Sequence, residues 1–176
     1  GDIYRVPHLH GGHEEGRLTF FGVAHELPRS PEPRLVIDIG GGSTEFIIGV
    51  RLKPKVMESL YMGCVSWTRR FFPEGVVEGD ALARCRTYVR GRLAPMVHDT
   101  AQLHHDIAVA SSGTAEALAA MVLTRREEPL PQSLNAATIT SAELTAVIEE
   151  LAAAPTVEER RKLAGIDPSR ADILVG

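Results

Sequence analysis

The sequence predicts an α/β fold, a mixed sheet with helices packed against it. Three observations predict it. Two short apolar, β-branched runs flank a glycine-rich turn near residue 40, and a third strand-like run follows at once. From residue 65 onward the apolar spacing lengthens to that of helices, broken by one compact strand at Ile107 to Ala110. Strands first and strand–helix units afterwards describe a mixed sheet.

Taken in order, Leu35 to Ile39 and Glu45 to Val50 are the first two strands, and Gly40-Gly41-Gly42-Ser43-Thr44 joins them as a hairpin. Val56 to Met62 alternates loosely and extends the hairpin into a meander. Val65 to Phe72 reads as a short helix stopped by Pro73, which lacks the N–H that a helix needs. A longer helix opens at Gly79 or Asp80, with Asp80 as N-cap, and runs toward Arg92 and on to a kink at Pro95. After the strand at Ile107, Ser111-Ser112-Gly113-Thr114 opens an alanine-rich helix through Leu123. Thr140-Ser141-Ala142-Glu143 has the form of a capping box for a helix to Ala153. A short helix covers Val157 to Leu163, and Ala171 to Val175 reads as a final strand. The predicted order is β-β-β-α-β-α-β, which fits a ribonuclease-H-like half-domain of the kind used twice in actin-like ATPases.

Residues 26–34, with Pro28, Pro31 and Pro33, read as a linker. Ahead of it, Ile3 to Val6 and Leu18 to Val23 look like strands without a partner sheet. The expectation is a fragment: residues 1–30 close a first half-domain and add a linker, and residues 31–176 form a second half-domain truncated at its C-terminus.

Composition narrows the function classes. With 44% hydrophobic and 24% charged residues the chain is globular rather than disordered. A net charge of -4 speaks against a general nucleic-acid binder, yet a few arginines beside one pocket still suit an anionic substrate. Cys64 and Cys85 form no C-x-x-C pair, so neither a zinc site nor a disulfide framework is indicated, and a reducing cytoplasm is expected. No stretch of eighteen apolar residues suggests a membrane span.

The strongest chemical signal is Asp38-x-Gly40-Gly41-Gly42-Ser43-Thr44-Glu45. Three glycines are expected to take positive φ and bring backbone N–H groups close to an anion, while Ser43 and Thr44 add hydroxyl donors. Asp38 and Glu45, one on each side, could hold Mg²⁺ directly or through its waters. A plain hairpin turn would need none of these polar flanks. The loop lacks the Gly-Lys-Ser/Thr of a Walker sequence and does not open a helix. Ser112, Gly113 and Thr114 stand where a strand meets a helix N-terminus, which suits either an anion contact or an N-cap with a close-packed glycine. Arg17, Arg69 and Arg70 are candidate phosphate contacts. His8, His10 and His13 read as a surface cluster, and Trp67 reads as packing.

The segment Val36 to Glu45 resembles the second phosphate motif of the exopolyphosphatase / guanosine pentaphosphate phosphatase family. Gly12-His13-Glu14-Glu15-Gly16-Arg17-Leu18 resembles that family's G-x-E-E-A-R-L segment, with Gly16 in place of alanine. Met62-Gly63-Cys64-Val65-Ser66, Ala110-Ser111-Ser112-Gly113-Thr114 and Ser169-Arg170-Ala171-Asp172 resemble later family signatures, in the right order. The resemblance implies that Glu15 is the catalytic base and that Asp38 and Glu45 are acids of the metal and phosphate site. It implies a Mg²⁺-assisted release of the terminal phosphate from inorganic polyphosphate or guanosine pentaphosphate. It also implies a cleft between two halves, whose first half, with its own D-x-G-S-N-S loop, is missing here, so the fragment alone should be weak or inactive. An actin-like kinase and a non-catalytic phosphate or nucleotide sensor are the competing readings. A homodimer is the default assembly, with no nucleic-acid or membrane partner expected.

Overall fold

The computed structural model describes residues 20–23, 31–51, 53–103, 107–131, 133–134 and 137–176. Strands β1 (Pro33–Ile39) and β2 (Thr44–Val50) pair antiparallel, with Asp38 opposite Glu45 and Ile39 opposite Thr44. The predicted hairpin therefore turns over residues 40–43. β3 (Lys53–Leu60) adds antiparallel to β2, and β4 (Ile107–Ser111) lies parallel to β1, giving the order β3-β2-β1-β4. A parallel neighbour cannot be reached by a tight turn; the chain needs a long crossover, which two helices supply.

Those helices are α1 (Cys64–Phe71) and α2 (Ala81–Thr100). Asp80 flanks α2 as expected, but its carboxylate caps no N–H; it pairs with Arg84 one turn on, at 3.0 Å. The helix continues past Pro95 to Thr100, further than the predicted kink required. Both helices cover one face of the sheet. Phe46 and Ile37 pack there against Trp67, Phe72, Ala81 and Cys85. Full burial of one such large apolar side chain contributes about 1.5–3 kcal/mol, so this layer fixes the crossover. Trp67 is core, as expected, stacked on Phe71 with ring centroids 5.1 Å apart. Cys64 and Cys85 are both buried free thiols, and burial pushes the Cys85 thiol up.

The other sheet face carries Val36 and Ile47, packed with Phe20 and Val23. Residues 20–23 are helical, which corrects the strand expected over Leu18 to Val23 for its described part. Phe20 and Val23, three residues apart, both reach this cluster, and that is helical rather than strand spacing.

Helices α3 (Gly113–Arg125), α4 (Ser141–Ala153) and α5 (Val157–Arg160) follow. Ala117, Met121 and Val122 of α3 pack with Val147 and Leu151 of α4 and with Leu174. The predicted capping box at Thr140 and Glu143 is present, and Thr156 with Glu159 forms a second one that starts α5. Helix α5 is shorter than expected and gives way to turns before Leu163.

The final strand over Ala171 to Val175 is a correction. These residues form helical turns, with the N–H groups of Ile173 and Leu174 donating to the Arg170 carbonyl and that of Gly176 to Ile173. Ala171 and Leu174 are the buried pair, again three apart; a strand would have buried alternate residues. Arg160, fully buried, holds this segment by donating to the carbonyls of Ala171, Ala154 and Gly75.

Candidate functional site

The glycine loop and the start of α1 are built onto each other. The N–H groups of Cys64, Val65 and Ser66 donate to the carbonyls of Gly40 (3.0 Å), Gly41 (3.1 Å) and Gly41 (3.0 Å), and Gly63 donates to Gly42 (3.1 Å). The loop thus consumes the N–H groups that a helix N-terminus leaves unpaired. The direction of the loop follows from peptide geometry. In a trans peptide the C=O and the next residue's N–H point opposite ways, and the described chain holds no cis bond. Because the carbonyls of residues 40–42 face α1, the N–H groups of Gly41, Gly42 and Ser43 face away from it. Among the described residues, none of these three N–H groups donates to a backbone carbonyl in the loop. Gly41 and Gly42 are exposed and Ser43 is partly buried, so the row faces outward as an anion-binding concavity would.

The reason for the glycines differs from the expectation. None of Gly40, Gly41 and Gly42 has positive φ. Close approach matters instead, and most of all at Gly63, just before α1. A Cβ there would overlap the backbone of Gly41 and Gly42, whereas one on Gly42 would meet only the Ser66 hydroxyl at 4.0 Å.

Next to the loop, the ends of all four strands carry polar side chains at one register level. Asp38 stands opposite Glu45, Glu45 opposite Ser59, and Asp38 opposite Ser111. Directly paired residues share a sheet face, so Ser59, Glu45, Asp38 and Ser111 form a row on the face of Val36 and Ile47. Glu45 is 4% exposed and accepts a hydrogen bond from the Ser59 hydroxyl at 2.8 Å. Asp38 is half-buried. Among the described residues no group of three His, Cys, Asp or Glu side chains could hold a metal ion by itself. Two carboxylates on one face do fit Mg²⁺, which keeps several waters and takes one or two carboxylates plus substrate phosphate oxygens.

A second helix N-terminus meets the same corner. Thr114 of α3 donates to the Ile39 carbonyl at 3.3 Å, one residue before the glycine loop. Ser112 caps α3 by accepting from Ala115 N–H at 3.1 Å. A Cβ on Gly113 would overlap the guanidinium of Arg170, so this glycine is where Arg170 lies against the helix start. Arg170 is partly buried, and among the described residues the carboxylate it pairs with is that of Asp167, 3.9 Å away. The Asp167 carboxyl is held below the usual carboxylate range, first by the Ser169 hydroxyl.

The predicted residues therefore divide. Gly40, Gly41, Gly42, Ser43, Asp38 and Glu45 come together, and Ser112, Gly113 and Thr114 adjoin them. At the side-chain level Ser112 is an N-cap and Gly113 a close-packed glycine, while the Thr114 hydroxyl binds backbone. Thr44 points elsewhere: its buried hydroxyl donates to the Met62 carbonyl, on the opposite face from Asp38. Arg69 and Arg70 lie at the far end of α1, about 9 Å along its axis from Cys64 at 1.5 Å per residue. Glu15, Arg17 and the His8, His10, His13 cluster lie outside the described residues. Sequence reasoning missed Gly63, Ser59, Ser111 and Arg170 as site residues, although three of them sit inside or beside segments already noted for their resemblance.

Comparison with known proteins gives the chain's family and fold. The profile of the Ppx/GppA phosphatase family matches residues 9–176. A candidate exopolyphosphatase of Haemophilus influenzae is 33% identical over 164 residues, covering 93% of this chain and 48% of that protein. The crystal structure of an exopolyphosphatase from Cytophaga hutchinsonii superposes with a TM-score of 0.79 at 28% identity, covering 93% of this chain and 53% of that one. A Ppx/GppA family member from Aquifex aeolicus superposes with a TM-score of 0.76 at 25% identity, covering 92% of this chain and 51% of that one. The chain spans about half the length of these relatives. The α/β architecture is the actin-like one that these proteins share.

Proposed function

Because the chain belongs to the Ppx/GppA phosphatase family, we propose that it supplies one wall of a phosphohydrolase that releases the terminal phosphate of inorganic polyphosphate. The observation that carries this is the open row of N–H groups from Gly41, Gly42 and Ser43 beside the Asp38–Glu45 pair. Three aligned N–H donors match the oxygens of a phosphoryl group, whose transfer depends mainly on positioning and electrostatic stabilisation. Arg170, set against the start of α3, adds a cation within the same corner.

In this reading Glu15 takes a proton from water as the water oxygen attacks the terminal phosphorus. The bridging P–O bond breaks, orthophosphate leaves, and the polymer is shorter by one residue. The N–H row orients the phosphoryl oxygens, and Asp38, paired in register with Glu45 at the strand end, stands beside that row. Mg²⁺, held by Asp38 and by Glu45 through water, would neutralise phosphate charge. Residues 31–176 form the second actin-like half, and the opposing half completes the cleft; one wall alone positions water, phosphorus and metal poorly. Guanosine pentaphosphate presents the same terminal phosphate and remains a second substrate to test. The named relatives favour polyphosphate.

The test is phosphate release with Mg²⁺ from polyphosphate and from guanosine pentaphosphate, by the protein at its full natural length and its Glu15→Gln variant. Release by the wild type and a loss of about a hundredfold or more in the variant support the reading. An inert wild type that phosphate ligands still stabilise against heat would replace it with a sensor.

A further inference from the structure

Arg160, at the end of α5, is fully buried. A guanidinium taken out of water is costly to hold unless its N–H groups find acceptors. Among the described residues its acceptors are all backbone carbonyls: Ala171 at 2.7 Å, Ala154 at 2.8 Å, and Gly75. Each carbonyl belongs to a different segment. Ala154 ends α4, Gly75 closes the single turn Pro73–Gly75 that follows α1, and Ala171 belongs to the helical turns near the C-terminus. One side chain thus ties three separate segments together at a point, with Nε and both terminal nitrogens in use.

The third of these segments is the one that reaches the site. Arg170, next to Ala171, lies against Gly113 at the start of α3. The N–H groups of Ile173 and Leu174 donate to the Arg170 carbonyl at 3.1 and 3.0 Å, so Arg170 and the residues after it form one turn. The far end of that turn rests on α1. The Thr68 hydroxyl donates to the Ile173 carbonyl at 3.3 Å, and a Cβ on Gly176 would overlap the Cys64 carbonyl and Thr68. The Cys64 N–H in turn donates to the Gly40 carbonyl of the glycine loop. Residues 170–176 therefore touch α1 and α3 alike, and Arg160 holds them from beneath.

We infer that Arg160 is a positioning residue: it seats residues 170–176 so that the Arg170 guanidinium stands at the start of α3. This rests on the phosphohydrolase reading, in which Arg170 is a cation of the phosphate corner. Fully buried, Arg160 does not meet substrate itself; it acts through Arg170. Its planar fork serves three carbonyls at once, a geometry that the compact ammonium of lysine does not reproduce. A displacement of about 1 Å in a group that orients substrate costs as much as a hundredfold in rate, even when the substitution is remote.

The test measures phosphate release from polyphosphate, with Mg²⁺, by the protein at its full natural length. Wild type, Arg160→Lys, Arg170→Gln and the double variant are compared well below their melting temperatures. Expected is a loss in kcat/KM of about tenfold or more in each single variant. The double variant should stay within about threefold of Arg170→Gln, because both substitutions act through one guanidinium. Losses that multiply would show Arg160 acting by another route and would overturn the inference. So would an Arg160→Lys or Arg170→Gln protein within about twofold of wild type, while a Glu15→Gln loss still upheld the hydrolase reading. Hydrogen exchange gives a readout apart from activity. In Arg160→Lys the amides of Ile173, Leu174 and Gly176 should exchange about tenfold faster or more, with β1 and β2 within about twofold of wild type. Equal acceleration throughout would reduce Arg160 to a general stabiliser and overturn its positioning role. Should Arg160→Lys not fold, wild type carries the test by NMR: the Arg160 Nε–H and the Ile173 and Leu174 amides share one protection factor. An Nε–H protected about tenfold less than those amides would overturn the inference. A wild type that releases no phosphate from polyphosphate or guanosine pentaphosphate would defeat the underlying reading, and the role of Arg160 with it.

Discussion

Gly63→Ala is the sharpest test of how the loop is built. Gly63 has φ -96° and ψ 154°, a conformation open to any residue, so alanine brings no backbone strain there. What it brings is a methyl group into the backbone of Gly41 and Gly42. To make room, α1 must retreat from the loop and stretch four hydrogen bonds of 3.0–3.1 Å. Loss of two of them, at about 1 kcal/mol each, and an overpacking cost of about 1–2 kcal/mol give a total near 3–4 kcal/mol. For a chain of this size that is a drop in Tm of roughly 10 °C. The control is Gly42→Ala, whose methyl would meet only the Ser66 hydroxyl at 4.0 Å. Thermal unfolding of both variants, followed by circular dichroism, reads the difference. A Gly63→Ala protein melting within about 1 °C of wild type, or no better separated from Gly42→Ala, would refute the argument that α1 and the loop are locked by close approach.

Two further perturbations probe neighbouring features. Thr44→Val removes the donor to the buried Met62 carbonyl and should cost about 1–3 kcal/mol, read as a lower urea midpoint with unchanged slope. The Glu143 carboxyl is lowered to about 2, first by the Arg126 guanidinium and then by Thr140. Its folded value thus lies below the unfolded value of about 4.3, so its stabilisation is full above pH 4.3 and is lost as pH falls through 2. Between those values wild type should lose stability more steeply than Glu143→Gln, measured by urea unfolding at a series of pH values.

Local chemistry was the legible part of the sequence. The hairpin around Gly40 to Ser43 was visible because two apolar runs frame a polar, glycine-rich turn. The capping box at Thr140 and Glu143 was visible because four residues suffice to make it. Contacts between distant segments were the illegible part. That Gly63 packs on Gly41, or that Arg170 lies against Gly113, depends on how helices return to the sheet, and nothing local encodes it. The helical turns at Phe20 to Val23 (within the strand expected over Leu18 to Val23) and at Ala171 to Val175 escape a local reading for a related reason. Short apolar runs suit strand or helix equally, and the surface that buries them decides. Thr44 shows the limit at the site itself. A hydroxyl in a phosphate-binding motif was assigned to the ligand, yet strand alternation turns it to the opposite face.

The most direct test of the account is phosphate release from polyphosphate by the protein at its full natural length, wild type against Asp38→Asn. Asparagine keeps the shape and removes the carboxylate charge at the end of β1, next to the glycine loop. The account predicts a loss of about a hundredfold or more in kcat/KM, close to 3 kcal/mol of transition-state stabilisation, with Tm little changed. An Asp38→Asn protein that releases phosphate within about threefold of wild type would contradict the placement of the reacting phosphate beside this strand end.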